Sequence, residues 1–343
     1  MSVRVAILGA TGYGGGELLR LLLAHPEVDV AWATSRSQKG VPVGRVHRNL
    51  LGLTDLEFSA PSNADLIAGA DVIIGALPHG ASASVLSEFV DAGKRVIDLS
   101  GDFRLRSHEG YRASYKAEHP RPDLLASAIY GAPEAARDNI RSAKLVASPG
   151  CFATAMNLAA LPAASLMTGM VTVTGMTGSS GSGADPSAGT HHPTRAQTLR
   201  PYKVLSHQHA GEVMQLWSEQ GGRLQTLEFT PVSMPLVRGI LVVLQADLAG
   251  RVQSQDQLER LYRDFYSSHP FVKVVSSREP ECATVAGTNY AEVRARLSEN
   301  GRLHVVCAID NLVKGGAGQA VQSLNLMCGF EETAGLTWAG SWP

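Results

Sequence analysis

The residue with the most chemical potential is Cys151, in the run Ser148-Pro149-Gly150-Cys151-Phe152-Ala153-Thr154-Ala155. Proline and glycine break the strand-like stretch from Lys144 to Ser148. An alanine-rich helical pattern then starts at the cysteine and extends to about Met167. A thiol at a helix start faces unsatisfied backbone N–H groups and the positive end of the helix dipole, both of which favour the nucleophilic thiolate. The competing reading is a small apolar filler, the usual role of a free cysteine. Four histidines follow: His191 and His192, then His207 and His209, with Glu212 close by. An H-x-H read as strand puts both rings on one face, where they could serve Cys151 as general acid and base. Zinc is the other chemistry open to imidazole and carboxylate, but no third ligand has metal spacing and no metal is expected. His191 and His192 read equally well as surface residues of a polar loop.

Positioning such groups calls for a scaffold, and the first half of the chain reads as one. Val3 to Leu8 is a continuous apolar strand, broken only by Arg4. It runs into Gly9-Ala10-Thr11-Gly12-Tyr13-Gly14-Gly15-Gly16 and then a helical segment from Glu17. Strand, glycine turn and helix let a pyrophosphate approach backbone N–H groups, although the spacing G-x-x-G-x-x-G departs from the commoner G-x-G-x-x-G. The second strand, Val28 to Thr34, ends in Ser35-Arg36 rather than a carboxylate. That favours a ribose 2′-phosphate over a free hydroxyl, hence NADP(H) over NAD(H). Further βα units follow. The strand from Asp71 to Leu77 leads into Pro78-His79-Gly80, and the strand from Arg95 to Leu99 leads toward Arg104. Loops after the carboxyl ends of parallel strands hold ligands in such sheets, which makes Pro78, His79 and Arg104 candidates. Arg104 could instead pair with Asp102.

After the cysteine helix the pattern becomes strand-rich: Val171 to Thr177, Leu224 to Thr230, Arg238 to Leu248, Phe271 to Ser276, Tyr290 to Leu297 and Leu303 to Ile309. A helix from Ser254 to Tyr266 interrupts them. The run Gly178 to Asp185 reads as a loop near the site or a lid. A last amphipathic helix, Lys314 to Cys328, is expected to pack back on the first domain. The reading is therefore α/β. A nucleotide-binding Rossmann domain spans 1–150 plus about 314–343, and an α+β domain with a mixed or antiparallel sheet, suited to a homodimer or homotetramer, spans 151–313. With 343 residues, 44% hydrophobic and a formal net charge of −1, the chain shows no footprint for nucleic acid or an anionic membrane. No apolar run is long enough to span a bilayer. The start at Met1 runs straight into a strand without signal-peptide regions, and the four cysteines make no framework pattern, so the cytoplasm is the expected compartment.

Together Gly9-Ala10-Thr11-Gly12-Tyr13-Gly14-Gly15, Ser148-Pro149-Gly150-Cys151, His207-Gln208-His209 and Ile309-Asp310-Asn311-Leu312-Val313-Lys314-Gly315 resemble the N-acetyl-γ-glutamyl-phosphate reductase family, across nearly the whole chain. The resemblance implies an aspartate-semialdehyde-dehydrogenase-like fold and NADPH-dependent reduction of an acyl phosphate to a semialdehyde through a cysteine thioester. Cys151 then matches the nucleophile, and His207, His209 and Glu212 match the family's H-R-H-T-P-E, with Gln208 in place of its arginine. Arg104 and Tyr202 match site positions, and Ser180 and Asn311 join Gly9, Thr11, Gly12, Tyr13, Gly14, Gly15, Ser35, Arg36 and Pro78 as expected cofactor contacts. The segments Glu118 to Leu125 and His191-His192-Pro193-Thr194-Arg195-Ala196 are similar to a branch whose substrate, 2-aminoadipyl or glutamyl phosphate, is presented by a small acidic amino-group carrier protein. On that branch His191, His192 and Arg195 join the substrate contacts, and the products feed lysine or arginine synthesis. The segment Phe229-Thr230-Pro231, with Pro235 and Arg238-Gly239-Ile240, is similar to the acetyl-type enzymes instead. A phosphate-independent semialdehyde dehydrogenase and a non-catalytic NADP(H)-sensing regulator stay open as other readings.

Overall fold

Apolar strands and short βα turns build the first unit of the computed structural model, which describes residues 2–341. Its strands are β1 (Val3–Leu8), β2 (Val28–Thr34), β3 (Phe58–Ser59), β4 (Val72–Gly75), β5 (Arg95–Asp98), β6 (Ile129–Tyr130) and β7 (Leu145–Ala147). They pair in parallel in the order β3-β2-β1-β4-β5-β7-β6. The chain leaves β1 toward β2 on one side and returns to β4 on the other, so the order reverses beside β1. That crevice is where doubly wound sheets bind ligands. The unit runs up to Gly150 and takes back Gly316–Trp338. Within it the helix Gly318–Cys328 is buried on every side from Gly318 to Met327, not amphipathic as its sequence suggested. A helix apolar or satisfied all round belongs inside a domain. Gln319 donates to the Gly131 carbonyl, and Asn325 donates to the carbonyls of Glu332 and Ala334.

The second unit spans Cys151–Gly315 and includes the segment from Ala339. Its strands are β8 (Thr168–Thr177), β9 (Arg200–Pro201), β10 (Arg223–Ser233), β11 (Ile240–Asp247), β12 (Val272–Val274), β13 (Ala291–Leu297) and β14 (Arg302–Ile309). Among the described residues they form one mixed sheet, β12-β13-β14-β11-β8-β10-β9. Strict alternation in β11 buries Ile240, Val242, Leu244 and Ala246 while Leu241, Val243 and Gln245 lie on the other face. The buried face packs on the helices Cys151–Ala160, His209–Glu219 and Gln255–Tyr266.

The cysteine helix ends at Ala160, earlier than its pattern predicts, and continues as a 3-10 stretch, Leu161–Leu166. Pro162 is the reason, because it has no N–H to give the Leu158 carbonyl four residues back. Tyr266 donates its hydroxyl to that carbonyl at 2.5 Å, and Tyr262 donates to Ala159 at 2.7 Å. Each such buried bond contributes about 1 kcal/mol net, and more if the carbonyl would otherwise be left bare. The base of the cysteine helix is thereby clamped from a second helix.

Candidate active site

The cofactor half lies in the first unit. Gly9 sits at φ +77, and a Cβ on Gly15 would come within 2.5 Å of the Ala10 Cα, so both are glycine for the fold's sake. The helix Tyr13–Leu22 opens at Gly12 with no side-chain cap and no acidic residue in its first turn. Its leading N–H groups, on residues that include Tyr13 and Gly14, face no side-chain acceptor of their own helix, and a Cβ at Gly12 would meet nothing nearer than 4.0 Å. An uncapped helix start over open space fits a pyrophosphate. The turn is held by Ala10 donating to the Thr34 carbonyl at 3.1 Å and accepting from His47 Nε2 at 2.8 Å, with the His47 ring lying over Gly16. Sequence reasoning passed over His47. At the end of β2 the Ser35 hydroxyl accepts from the Gln38 N–H, while Arg36 is exposed with no partner among the described residues. Neither carries negative charge, which suits a 2′-phosphate. Pro78 and His79 are exposed on the loop after β4, where His79 Nδ1 accepts from the Gly101 N–H.

Arg104 belongs to this unit and is only 5% exposed. Its Nε donates to the Ser148 carbonyl and Nη2 to the Leu99 carbonyl, both at 2.8 Å. Asp102, offered above as its partner, instead accepts from the N–H groups of Gly80 and Ala83. Arg104 thus ties the ends of β5 and β7 and fixes the peptide three residues before Cys151.

The nucleophile half lies in the second unit. Cys151 opens its helix, whose first turn holds no acidic residue, and is half-buried. The other cysteines are of the inert kind. Burial pushes Cys282 up to about 11 and raises Cys307 and Cys328 as well. Gly315 touches the site directly, since a Cβ there would fall 2.9 Å from the Cys151 Cβ. This explains a glycine that only the motif had marked. The residue after the nucleophile, Phe152, meets both histidines edge-on, with ring centroids 5.6 Å from His207 and 6.3 Å from His209.

The two histidine rings lie 4.5 Å apart, as H-x-H predicted, but the backbone is not strand: His207 precedes the helix His209–Glu219 and His209 opens it. His209, Glu212, Val213, Leu216 and Trp217 are all buried, a stripe at helical spacing that was present in the sequence. The His209 N–H donates to His207 Nδ1 at 3.3 Å, and His209 Nε2 stands 4.0 Å from the Glu212 carboxylate. Both rings and the carboxylate are nearly enclosed. Tyr202 joins the group. Burial raises its hydroxyl pKa, the charge of Cys151 adds to the rise, and Arg195 opposes it. Arg195 is buried, whereas its sequence neighbours His191 and His192 are exposed.

Ser180 and Asn311 are brought together, though their polar atoms serve the protein. Asn311 Nδ2 donates to Ser180 Oγ at 2.9 Å, Asn311 Oδ1 accepts from the Gly239 N–H at 2.7 Å, and Ser180 Oγ donates to the Val237 carbonyl at 2.7 Å. In the loop after β8, Ser179–Ser182 form a 3-10 turn held by the N–H groups of Ser179 and Ser180 donating to the Leu236 and Val237 carbonyls, while Gly183 to Asp185 are exposed. Among the described residues no group of three His, Cys, Asp or Glu is arranged to hold a metal ion, and no helix is long and apolar enough to cross a membrane.

A parallel nucleotide-binding sheet followed by a cysteine-led mixed sheet defines an oxidoreductase of the semialdehyde dehydrogenase type. Residues 4–143 match the semialdehyde dehydrogenase NAD-binding domain, and residues 151–311 match its dimerisation domain. The fold is similar to aspartate semialdehyde dehydrogenase II from Vibrio cholerae, with a TM-score of 0.74 at 17% identity over 96% of this chain and 99% of that one. Two relatives are much nearer in sequence. The N-acetyl-gamma-glutamyl-phosphate reductase of Methanosphaera stadtmanae is 41% identical over 99% of both chains. The LysW-L-2-aminoadipate 6-phosphate reductase of Deinococcus radiodurans is 40% identical over 99% of this chain and 98% of its own. The chain belongs to the semialdehyde dehydrogenase family, among its acyl-phosphate reductases, as the motif series implied. Its first domain is an NAD(P)-binding one.

Proposed function

We propose that the protein reduces an amino-protected acidic amino-acid acyl phosphate to its semialdehyde with NADPH, through a thioester on Cys151. The observation that carries this reading is the cysteine at an uncharged helix start, with His207, His209, Glu212 and Tyr202 gathered in the same unit. The thiol proton passes to an imidazole, and the Cys151 sulfur attacks the acyl carbonyl. The carbon–oxygen bond to phosphate breaks and inorganic phosphate leaves. N–H groups at the helix start stabilise the oxyanion, at about 3 kcal/mol per donor. Bound NADPH supplies the hydride that takes the thioester to the hemithioacetal level. The imidazolium protonates the developing alkoxide. Collapse then returns that proton, expels the thiolate and frees the aldehyde. Of the two histidines, His209 is the better acid and base because Glu212 stands behind it.

The uncapped turn Gly9, Thr11, Gly12, Tyr13, Gly14 and Gly15 would hold the pyrophosphate, Ser35 and Arg36 the 2′-phosphate, and Pro78 the nicotinamide side. Ser180 and Asn311 would act by shaping the wall rather than by direct contact, because their polar groups are spent on one another. Arg104 would position Cys151 through the Ser148 peptide.

Between the two branches we favour the carrier-linked one. Its support is the 191–203 segment, where the exposed Arg200 and Lys203 stand with no acidic residue, a surface suited to an acidic carrier protein. The acetyl-type reductase of arginine synthesis is the second reading, favoured by the first relative above. A homodimer through the open face of the second sheet and a cytoplasmic, reducing location complete the proposal, the latter in keeping with four free cysteines. The test is the reverse assay. NADP⁺ reduction should require both semialdehyde and inorganic phosphate, proceed faster than NAD⁺ reduction, and favour the carrier-linked semialdehyde over N-acetylglutamate semialdehyde. Phosphate-independent turnover would overturn the reductase reading, and a preference for the acetyl compound would overturn the branch.

A further inference from the structure

Arg195 is the one arginine in the second unit that the fold buries without satisfying, among the described residues. It closes the turn His192–Arg195 at 8% exposure. Its Nη2 reaches only the Thr177 carbonyl, at a long 3.4 Å, and its Nε is enclosed with no acceptor. No carboxylate among the described residues pairs with it. Arg238, by contrast, has Asp310, and Arg278 has Glu292. Burial lowers the Arg195 pKa and the neighbouring cation Arg200 adds to the fall, while the Tyr202 hydroxyl opposes it; the Tyr202 ring stands 5.9 Å from that of His207. A buried, unpaired guanidinium is costly to keep and is an unfilled fork for a planar anion.

The reaction decides which anion. Resting on the covalent reading above, the substrate brings two anionic groups, the phosphate and the carboxylate at its other end. Phosphate departs in the first step, and a cation balanced by it alone would be bare while the thioester forms and is reduced. The carboxylate stays through every intermediate. We propose that Arg195, with the Tyr202 hydroxyl beside it, receives the non-reacting carboxylate of the substrate. The enzyme is thereby restricted to acyl phosphates of acidic amino acids whose α-carboxylate remains free, whatever blocks the amine.

Reverse-direction kinetics separate the two anions. Arg195→Gln should lower kcat/KM for N-acetylglutamate semialdehyde by ~100-fold, with the KM for inorganic phosphate essentially unchanged. Arg195→Lys keeps the charge but not the fork and should lose roughly tenfold. The same aldehyde without its carboxylate, 4-acetamidobutanal, should be a poor substrate that wild type and both variants handle alike. A rise in phosphate KM with the semialdehyde unaffected, or an equal loss on 4-acetamidobutanal, overturns the assignment. NADPH affinity and the unfolding midpoint report whether each variant has folded. Calorimetric titration of N-acetyl-L-glutamate into Cys151→Ala protein, with and without Arg195→Gln, needs no turnover. Binding should weaken at least ~10-fold in the double variant, and unchanged binding also overturns the proposal. A wild-type enzyme inactive on every semialdehyde would instead defeat the covalent reading and leave this binding arm to decide Arg195.

Discussion

The two units reach chemical competence by opposite means. In the first, the working atoms would be backbone N–H groups, and the sequence contributes mainly by removing side chains at Gly9, Gly12 and Gly15. In the second, side chains would do the work, and the sequence contributes by gathering His207, His209, Tyr202 and Glu212 about Phe152, the residue after Cys151. A backbone site can be read from a short motif because strand, turn and helix are contiguous. A side-chain site gathers residues some 50–60 positions apart, so local pattern reveals its members but not their meeting.

The contrast is testable at its strongest point first. Cys151→Ser should cut turnover by about ten-thousand-fold while leaving NADPH binding intact, because the nucleophile and the cofactor turn belong to different units. Near-normal turnover, or a lost acyl-enzyme mass together with lost NADPH affinity, would break it. Two glycines sharpen the backbone side. Gly15→Ala forces a Cβ onto the Ala10 backbone and should lower the unfolding midpoint by more than ~5 °C. Gly12→Ala meets no protein atom closer than 4.0 Å, so it should cost at most ~3 °C yet weaken NADPH binding about tenfold. Fluorescence titration and thermal melts on the pair would decide, and an unchanged NADPH Kd in Gly12→Ala would remove the turn from cofactor binding.

The smallest effect concerns acid stability of the first unit. His25 is buried, with Nδ1 accepting from the Glu27 N–H and Nε2 donating to Asn325 Oδ1 at 2.9 Å. Desolvation holds its pKa below the usual 6.5, against smaller opposing pulls from Asn325 and Glu27. The unfolded chain therefore binds the proton more readily. Stability from the neutral ring is fully present above about pH 6.5 and is lost as pH falls toward the lowered value, since a proton on Nδ1 expels the Glu27 N–H. His119 is lowered for the same reason and adds to the slope. Melts of wild type and His25→Gln between pH 7.5 and about 5 should diverge, with wild type losing more. Parallel curves would exclude His25 as a source of the slope.

Much of this was legible beforehand. The glycine turn, the absence of a carboxylate after β2, and the mixed sheet were all read from apolar runs and turn residues. Two errors have plain causes. The H-x-H segment reads as strand on the alternation of two residues, while the stripe His209, Glu212, Val213, Leu216 and Trp217 carries a longer helical period. The alanine-rich pattern extends the cysteine helix to about Met167 because it hides the consequence of Pro162.

Sequence by itself determined the reaction type available to this chain: a thiol at a helix start, an acid–base pair and a dinucleotide turn are contiguous motifs whose chemistry follows from residue type. Only tertiary structure decided which polar groups are left over for substrate. Ser180 and Asn311 consume each other, and Arg104 is spent on the Leu99 and Ser148 carbonyls. Arg195 is buried without an anion. Satisfaction of a buried hydrogen-bonding group depends on its partners in space, and no spacing along the chain encodes that.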